Sequence, residues 1–433
     1  MSRARFFYTL VVVLALPLAA LYLLWRSRRQ PAYREHWAER YTGAVPARPA
    51  GALIWLHAVS LGETRAAQPL VDALARAYPR HHVLLTHMTP TGREAGAALA
   101  ARLPGRVVQR YLPYDLPWTM RRFLREARPE VGLIMETEVW PNLIAAARSE
   151  GVPLALVNAR LSEKSAAKAQ RTPALMREAA QGFTRVLAQT AGDAERLRAA
   201  GAGTVEVVGN LKFDLTPNAA QIAQGRAWRA ALGRPVLLFA SSREGEEALL
   251  LAARAAAPSP ALLVIVPRHP QRFDEVADLV SSAGLRALRR SQLSADSDAA
   301  VVAGALSEVD VLLGDTMGEM ALYYALADVA LIGGSLQPVG GQNLIEACAV
   351  GTPVVVGPST YNFAQAAEDA IAAGAAQRVT DAPTAWDALL AIASDPTRRA
   401  SMGAAGERFA SAHRGATART LEWIAPLLTE AGR

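Results

Sequence analysis

Acidic side chains stand directly after hydrophobic segments at two points in the first half of the chain. Ser60-Leu-Gly-Glu63 follows the segment 53–57, and Glu136-Thr-Glu138 follows the segment 131–135. A carboxylate at such a position can remove a proton from a substrate hydroxyl, although a first-turn contact with the helix dipole is the structural alternative for Glu63. Two acids after an apolar segment are costly to bury unless they are paired or used. The pattern fits acid–base chemistry on a hydroxyl group, and for Glu63 it fits a structural role at the start of a helix equally well.

Polar segments also follow hydrophobic segments in the second half of the chain. Val266-Pro-Arg-His-Pro270 holds Arg268 on a stiff turn, where an arginine suits a phosphate or a carboxylate. Gly314-Asp-Thr-Met-Gly-Glu319 repeats the arrangement. Ser241 and Ser242 are expected to cap a helix whose N–H groups hold phosphate. These segments predict an anion site.

A glycine-rich segment and an unusual lysine add to these candidates. In Gly340-Gly-Gln-Asn-Leu-Ile-Glu346 the glycines let the backbone approach a ligand, and Asn343 can start a helix. Glu346 can then reach ribose hydroxyls or close a capping box. Lys212 is one of only three lysines in the chain, and we expect its charge to point between two domains.

The elements that must position these residues alternate between short apolar segments and Ala-rich helical segments, which predicts a parallel sheet covered on both faces. The predicted strands are 53–57, 83–87, 107–111, 131–135, 154–158, 185–189 and 205–209, then 236–240, 262–267, 311–313, 329–332 and 353–357. Ligands of such sheets bind beyond the carboxyl ends of the strands, where the candidate residues lie. A final helical stretch is predicted near 396–428.

The N-terminal segment 6–25 is an almost unbroken apolar run of about 20 residues, long enough as a helix to cross the ~30 Å core of a bilayer. Arg3 and Arg5 precede it, and Arg26, Arg28, Arg29 and Arg34 follow it. This bias predicts a membrane anchor that leaves the rest of the chain in the cytoplasm. A cleaved signal peptide and a helix that lies in the membrane interface are the alternatives.

Composition excludes several classes of protein. With 433 residues, 51% hydrophobic and 20% charged, the chain folds into about two domains and is not disordered. A single cysteine, Cys348, excludes an intramolecular disulfide and a multi-cysteine metal site. Histidine spacing predicts no metal site, and Asp296-Ser-Asp298 reads as a solvated turn. The net charge of +7 comes mostly from scattered arginines, which does not indicate nucleic acid binding.

Taken together, these segments resemble the family of 3-deoxy-D-manno-octulosonic acid (Kdo) transferases, which transfer Kdo from CMP-Kdo to a lipid A precursor. The resemblance runs almost from end to end. The segments that carry it are the N-terminal anchor, Pro31-Ala-Tyr-Arg-Glu-His-Trp-Ala-Glu-Arg-Tyr41, Ser60-Leu-Gly-Glu63, Leu112-Pro-Tyr-Asp-Leu-Pro117, Met135-Glu-Thr-Glu-Val-Trp-Pro-Asn-Leu-Ile144, Asn158-Ala-Arg-Leu-Ser162, Leu211-Lys-Phe-Asp214, Val266-Pro-Arg-His-Pro270 and Gly314-Asp-Thr-Met-Gly-Glu319. The resemblance implies an α/β GT-B fold, with two Rossmann-like doubly wound domains and a central cleft that holds the active site.

The resemblance also implies residue roles. Glu63 would be the proton acceptor, and Glu136 and Lys212 would stabilise the transition state. The CMP site would consist of Pro267, Arg268, Met317, Gly318, Glu319, Asn343, Leu344, Ile345 and Glu346. No metal and no cofactor are implied, because CMP-Kdo is a substrate. The family usually has His where Arg243 and Gln342 stand, which puts the donor-sugar contacts in question.

The expected organisation is a membrane anchor over 1–30, an acceptor domain over 31–215 and a CMP-sugar domain with terminal helices over 216–433. The implied function is inverting, metal-independent transfer of Kdo to lipid IVA in lipopolysaccharide core biosynthesis, on the cytoplasmic side of the bacterial inner membrane. The expected partners are CMP-Kdo, the lipid A precursor and inner membrane lipids, and not nucleic acid. The alternatives are a related GT-B glycosyltransferase or epimerase with another nucleotide-sugar donor, and a membrane-anchored binding protein without catalysis.

Overall fold

The chain forms two compact units in a computed structural model that describes residues 1–28, 30–45, 50–294 and 298–429. The first unit comprises Met1–Leu215 and Arg414–Arg433, and the second comprises Thr216–His413. The final helix thus packs with the first unit, whereas the sequence analysis groups it with the second. Each unit is built around one seven-stranded sheet.

The first unit has an all-parallel sheet with strand order β3-β2-β1-β4-β5-β6-β7. Its strands are β1 (Ala52–His57), β2 (His81–His87), β3 (Val107–Tyr111), β4 (Val131–Met135), β5 (Leu154–Ala159), β6 (Arg185–Ala188) and β7 (Val205–Val207). Its first nine helices are α1 (Arg3–Arg26), α2 (Trp37–Thr42), α3 (Leu61–Ala77), α4 (Pro90–Arg102), α5 (Pro117–Ala127), α6 (Pro141–Ser149), α7 (Glu163–Ala169), α8 (Pro173–Ala180) and α9 (Ala191–Ala199). The order reverses direction at β1 and β4, which is the switch point where such sheets bind ligands.

The second unit repeats this architecture with strand order β10-β11-β9-β8-β12-β13-β14. Its strands are β8 (Val236–Ser242), β9 (Leu262–Pro267), β10 (Ala287–Arg289), β11 (Val311–Leu313), β12 (Val329–Ile332), β13 (Val354–Val356) and β14 (Ala376–Arg378). Its helices are α10 (Ala219–Ala231), α11 (Glu246–Ala256), α12 (Phe273–Ser282), α13 (Ala299–Ser307), α14 (Met320–Leu326), α15 (Ile345–Val350), α16 (Ala364–Ala372), α17 (Ala382–Ser394) and α18 (Pro396–Ala412).

Both faces of the first sheet are buried, which explains why its strands are continuously apolar. In β1, Leu53 and Trp55 pack into the core on one face, while Ile54 and Leu56 pack into the core on the other. The side-chain period of two residues in a strand produces this division. The sheet is therefore a rigid platform for the residues that follow its strands.

The last helix, α19 (Ala416–Thr429), contributes Ile424 and Leu427 to one of these cores. Its start is held by Asp214, whose carboxylate accepts the N–H groups of Gly415 at 2.6 Å and Thr417 at 2.5 Å. These hydrogen bonds join the start of α19 to the segment that follows β7 and contains Asp214.

Helix α1 is long and apolar enough to cross a membrane, by length and composition. Its first turns nevertheless contact the rest of the first unit, because Arg5 forms an ion pair with Glu178 of α8 at 2.8 Å. At its other end, Leu23 and Ser27 are buried, and the helix contacts the 3-10 helix Pro31–Arg34. The first turns of α1 therefore contact the body of the unit, whereas its last turn contacts the 3-10 helix that follows it.

All twelve predicted strands are present, with ends within two residues of the expected positions. Two three-residue strands at the edges of the second sheet, β10 and β14, are not among the predicted strands. These strands are only partly buried, so their sequences lack the apolar pattern that reveals an interior strand. The predicted α/β class of two doubly wound sheets is confirmed.

Candidate active site

The carboxyl end of the first sheet carries a buried carboxylate, Glu136, directly after β4. Its φ angle is 55°, and Asn158 at the end of neighbouring β5 has a φ angle of 52°. Two non-glycine residues in this left-handed region are costly, and such strain is concentrated at functional sites. The fold therefore holds these two side chains in position at a cost.

Glu136 is paired with positive charge. The Nζ atom of Lys212 lies 2.7 Å from Oε1, and the guanidinium of Arg160 lies 3.7 Å from Oε2. Burial alone raises the pKa of Glu136, but the charges of Lys212 and Arg160 outweigh it and hold that pKa below its ordinary value. The structure thus brings together the two predicted transition-state residues as an ionised, compensated pair.

Lys212 is held in place by the short 3-10 helix Leu211–Asp214. The side-chain oxygen of Asn158 accepts the N–H of Leu211 at 3.0 Å, and that of Asn210 accepts the N–H of Lys212 at 3.0 Å. Asn158 also donates its amide to Glu136 at 3.5 Å. One asparagine therefore orients both members of the ion pair.

Glu63 lies in the first turn of α3, after the neighbouring strand β1. Its Oε2 accepts the N–H of Val59 at 2.7 Å, and its Oε1 accepts the hydroxyl of Ser60 at 3.3 Å. Ser60 in turn accepts the N–H of Glu63 as the N-cap of α3. Glu63 therefore does have the structural role of an acid in the first turn of a helix. Because this residue is partly exposed, its carboxylate also keeps lone pairs available for a substrate proton.

Three carboxylates interact at this edge of the sheet. Burial and the negative charges of Glu136 and Glu138 together raise the pKa of Glu63 to about 8. Burial also raises the pKa of Glu138, although its hydrogen bond from Trp140 at 2.7 Å opposes this shift. A carboxylate with a pKa near neutrality is suited to general base catalysis. Glu63 has this property, while Glu136 stays ionised.

The second unit places its candidate residues at the carboxyl ends of β11, β9, β8 and β12, which are adjacent strands. Arg268 follows β9, and its N–H donates to the carbonyl oxygen of Ser242 at 3.0 Å. The phenol of Tyr324 donates to the carbonyl oxygen of Asn343 at 3.5 Å, and the charges of Glu346 and Arg268 both act on this phenol. Asn343 therefore contacts Tyr324, and Glu346 and Arg268 lie close enough for their charges to act on the pKa of its phenol.

The remaining predicted residues of the CMP site have structural partners. Asn343 accepts the N–H of Ile345 at 3.1 Å and donates its amide to Glu346 at 3.0 Å, so both side chains help to start α15. Glu319 accepts hydrogen bonds from Arg290 at 2.9 Å and from the hydroxyl of Thr316. Pro267 ends β9, and Leu344 is the N-cap of α15.

Met317 and Gly318 precede α14 and are accessible. The side chain of Met317 is exposed, and Gly318 has a φ angle of 84°. The carbonyl oxygen of Gly318 accepts the amide of Gln221 at 3.0 Å. This turn is therefore fixed by α10 while its outer surface stays open.

The glycine segment that directly follows β12, residues 333–336, is held in place by Glu246, which is fully buried. Its carboxylate accepts the N–H groups of Gly334 at 2.6 Å, Leu336 at 2.9 Å and Arg243 at 3.0 Å. A Cβ atom on Gly333 would lie 2.6 Å from the Cα atom of Ser242, so only glycine fits there. This close approach locks the ends of β8 and β12 together.

The expected capping by Ser241 and Ser242 is wrong. The N-cap of α11 is Gly245, without a side-chain cap. Ser241 instead has a φ angle of 58°, and the hydroxyl of Ser242 donates to the buried Glu247 at 2.7 Å. The chain bulges at this point, which moves the helix start beyond the two serines.

Arg243 and Gln342, the two departures from the family pattern, lie together around Gly334. A guanidinium nitrogen of Arg243 lies 2.7 Å from Nε2 of His269. The two residues therefore share one region of the second unit, next to the turn that carries Arg268.

Within residues 1–28, 30–45, 50–294 and 298–429, no group of three or more His, Cys, Asp or Glu side chains could hold a metal ion. Asp296 lies outside the described residues, and Asp298 is the N-cap of α13. His57 and His87 are buried, and burial lowers the pKa of His57 to about 3 and that of His87 to about 4. These two histidines are neutral core residues.

Sequence reasoning assigned no role to three residues that build the site. Asn158 and Arg160 appear in the sequence analysis only within the segment Asn158-Ala-Arg-Leu-Ser162, yet both contact Glu136. Asp115 lies in a loop after β3, is buried, and accepts the N–H groups that begin α6. Their positions after strands were a usable signal, but their partners are distant in sequence.

Comparison with known proteins identifies relatives along the whole chain. A family model for 3-Deoxy-D-manno-octulosonic-acid transferase (kdotransferase) matches residues 35–215. The 3-deoxy-D-manno-octulosonic acid transferase of Bordetella pertussis is 51% identical over 428 residues, which cover 96% of this chain and 97% of the relative. The enzyme of the same name from Haemophilus influenzae is 33% identical over 436 residues, covering 98% and 99%.

Solved structures support the fold. Anabaena HepE in complex with UDP and glucose matches with a TM-score of 0.59 and 14% identity, covering 88% of this chain and all of that one. At this identity the likeness concerns the fold alone, and it agrees with the predicted GT-B class of two Rossmann-like units. The extent and identity of the sequence matches settle the family: this chain belongs to the 3-deoxy-D-manno-octulosonic acid (Kdo) transferases and is a glycosyltransferase.

Proposed function

We propose that this protein transfers Kdo from CMP-Kdo to a hydroxyl group of lipid IVA in lipopolysaccharide core biosynthesis. The observation that carries the proposal is the group of three carboxylates after β1 and β4, in which Glu63 has a pKa near 8 and Glu136 is paired with Lys212. In a chain of this family, such a group supplies both a base and a fixed charge pair. The first unit would take the acceptor, and the second would take the CMP-sugar.

In the proposed mechanism, Glu63 removes the proton from a glucosamine hydroxyl of the lipid. The oxygen attacks the anomeric carbon of Kdo while the bond from that carbon to the phosphate of CMP breaks, so the configuration inverts. One base in the right position contributes about 10²- to 10⁴-fold to the rate. The neighbouring pair of Glu136 and Lys212 would stabilise charge that develops in the transition state.

On the donor side, Arg268 would bind the phosphate of CMP, because a guanidinium forms strong paired hydrogen bonds with phosphate oxygens. Glu346 and Asn343 would contact the ribose, and the turn at Met317, Gly318 and Glu319 would line the same site. The contact of Asn343 with Tyr324, and the charges of Arg268 and Glu346 that act on this phenol, support a common site for these three residues. We expect no metal to be needed, since Lys212 and Arg268 supply positive charge.

We further propose that the enzyme works on the cytoplasmic face of the inner membrane with α1 lying along the membrane surface. The outward side of α1 is apolar and exposed at Phe7, Leu14, Leu18 and Leu21, whereas Arg5 is paired with Glu178. A perpendicular span would draw this ion pair towards the hydrocarbon, where charges are costly. A helix in the membrane plane buries its apolar side and keeps its contacts with the unit.

The test is incubation of the detergent-solubilised protein with tetraacylated lipid A precursor and CMP-Kdo, with the lipid products read by mass spectrometry. We expect a mass increase of one or more Kdo units that persists in the presence of a chelator. A folded protein that binds CMP but transfers nothing would favour another nucleotide-sugar donor, with Arg243 and Gln342 as the first residues to exchange. Loss of transfer on chelation would contradict the metal-independent mechanism.

A further inference from the structure

Asp115 joins three elements of the first unit at a buried point. It lies in the loop between β3 and α5, and its side chain is 2% exposed. Its Oδ2 atom accepts the N–H of Asn142 at 3.0 Å, and its Oδ1 atom accepts the N–H of Leu143 at 2.7 Å. Its carbonyl oxygen also accepts the side-chain amide of Asn142 at 2.8 Å. A residue 27 positions away thus fixes the first turn of α6.

Helix α6 needs this partner because it has no side-chain cap of its own. The helix begins at Pro141, and the residue at its N-cap is Trp140, which makes no capping hydrogen bond. The first N–H groups of a helix have no partner within the helix and must be satisfied from elsewhere. An ionised carboxylate at this position also interacts favourably with the helix dipole. Asp115 performs the role that Ser, Thr or Asp usually performs at the N-cap.

Helix α1 reaches the same point. The hydroxyl of Tyr8 donates to Oδ2 of Asp115 at 2.9 Å. The hydroxyl oxygen of the next residue, Thr9, lies 3.1 Å from the side-chain oxygen of Asn142 and 2.8 Å from the carbonyl oxygen of Arg5, and these two acceptors share its proton. Thr9 and Asn142 are both buried. Two consecutive residues of α1 therefore hold the two residues that anchor α6.

The segment between β4 and α6 carries two of the three interacting carboxylates, Glu136 and Glu138. It runs from Glu136 to Trp140, so one end is fixed by the strand and the Lys212 ion pair, and the other end is fixed by Asp115. Five residues leave little freedom once both ends are held. A shift of the first turn of α6 would displace Glu138 and, through its charge, change the surroundings of Glu63.

We propose that Asp115 is a positioning residue. Through its hydrogen bond with Tyr8, it links the packing of α1 against the first unit to the geometry of residues 136–140, which lie between β4 and α6. Helix α1 then does more than hold the enzyme at a membrane, because its Tyr8 hydroxyl helps to position Glu136 and Glu138 even in detergent. The inference deepens the proposed Kdo transfer and rests on it for the kinetic part of its test.

The test compares full-length variants in detergent micelles, where membrane attachment plays no part. Tyr8→Phe removes one hydrogen bond to a charged group, and we expect kcat to fall about tenfold, which corresponds to about 1.4 kcal/mol. Asp115→Asn keeps the shape but turns one acceptor atom into a donor that faces an N–H group, and we expect a larger fall in kcat. The KM for CMP-Kdo should not change, because the proposed donor residues lie in the other unit. The matched control is Tyr22→Phe, which removes the same hydroxyl from an exposed position of α1.

Hydrogen exchange of the peptide covering 136–147 gives a second readout that needs no Kdo chemistry. We expect faster exchange in Tyr8→Phe and Asp115→Asn than in the wild type and Tyr22→Phe, with the overall melting temperature of Tyr8→Phe retained. The coupling is overturned if Tyr8→Phe matches Tyr22→Phe in both kcat and exchange, or if its loss of activity disappears once the rate is normalised to the amount of folded protein. Absence of transfer by the wild type would count against the proposed function, and the exchange data would still decide on the coupling.

Discussion

Glu63, the proposed base, has a pKa raised to about 8 by burial and by the charges of Glu136 and Glu138. A base must be deprotonated to act, so kcat/KM for the lipid acceptor should rise with pH up to about 8 and then level off. Glu138→Gln removes one negative charge from the surroundings of Glu63. The apparent pKa in the pH profile should therefore fall in this variant, since the ionised form of Glu63 becomes less costly. Profiles of the two proteins that coincide would contradict the assignment of Glu63 as the titrating base.

We expect the ion pair of Glu136 and Lys212 to affect both the stability of the protein and Kdo transfer. Lys212→Met leaves a buried carboxylate without its closest positive charge, and breaking a buried pair in this way costs about 3 to 5 kcal/mol of unfolding free energy. The double variant Glu136→Gln, Lys212→Met should regain much of that stability, because neither charge remains. Neither protein should transfer Kdo at the wild-type rate. Urea unfolding and the transfer assay check both statements, and recovery of activity in the double variant would remove the pair from the mechanism.

At the scale of elements, the contact between β8 and the glycine segment after β12 makes a clear prediction. Gly333→Ala would place a Cβ atom 2.6 Å from the Cα atom of Ser242, and such overpacking typically costs about 1 to 3 kcal/mol. The displaced segment should also bind CMP more weakly. Gly304→Ala is the matched control, because this exposed helical glycine has open space around a Cβ atom and the change should stabilise α13 by about 0.5 to 1 kcal/mol. Thermal unfolding measures the stability of both variants, and calorimetry measures their affinity for CMP. Equal results for Gly333→Ala and Gly304→Ala would contradict the close approach of Gly333 to Ser242.

Much of this architecture follows from local sequence. The strands that lead to Glu63 and Glu136 are continuously apolar, and polar residues after a parallel strand must lie at one edge of the sheet. What could not be predicted depends on residues distant in the chain. Asp115 caps α6 across 27 positions, and Asn158 holds Leu211 across 53. The edge strands β10 and β14 lack an apolar pattern because they are only partly buried. The start of α11 moved to Gly245 because β8 bulges at Ser241.

At the scale of the whole molecule, the location of residue 2 distinguishes an α1 that lies in the membrane plane from an α1 that spans the membrane. Ser2 lies just before α1 and donates a hydrogen bond to Glu178, which belongs to the folded part of the first unit. A helix in the membrane plane keeps residue 2 on the same side as the catalytic units, whereas a spanning helix places it on the opposite side. In cells carrying Ser2→Cys, a membrane-impermeant maleimide should therefore label residue 2 only after the inner membrane is opened. Labelling in intact spheroplasts would contradict the in-plane arrangement; the buried Cys348 serves as an internal control.

The proposed Kdo transfer depends on Glu63 as the base. The most direct measurement compares wild type and Glu63→Gln for CMP binding by calorimetry and for Kdo transfer to lipid IVA by mass spectrometry. We predict that CMP binding is unchanged and that the transfer rate falls by about 10²- to 10⁴-fold, because the amide cannot accept the hydroxyl proton. A folded Glu63→Gln protein that transfers Kdo at a near-normal rate would show that Glu63 is not the base.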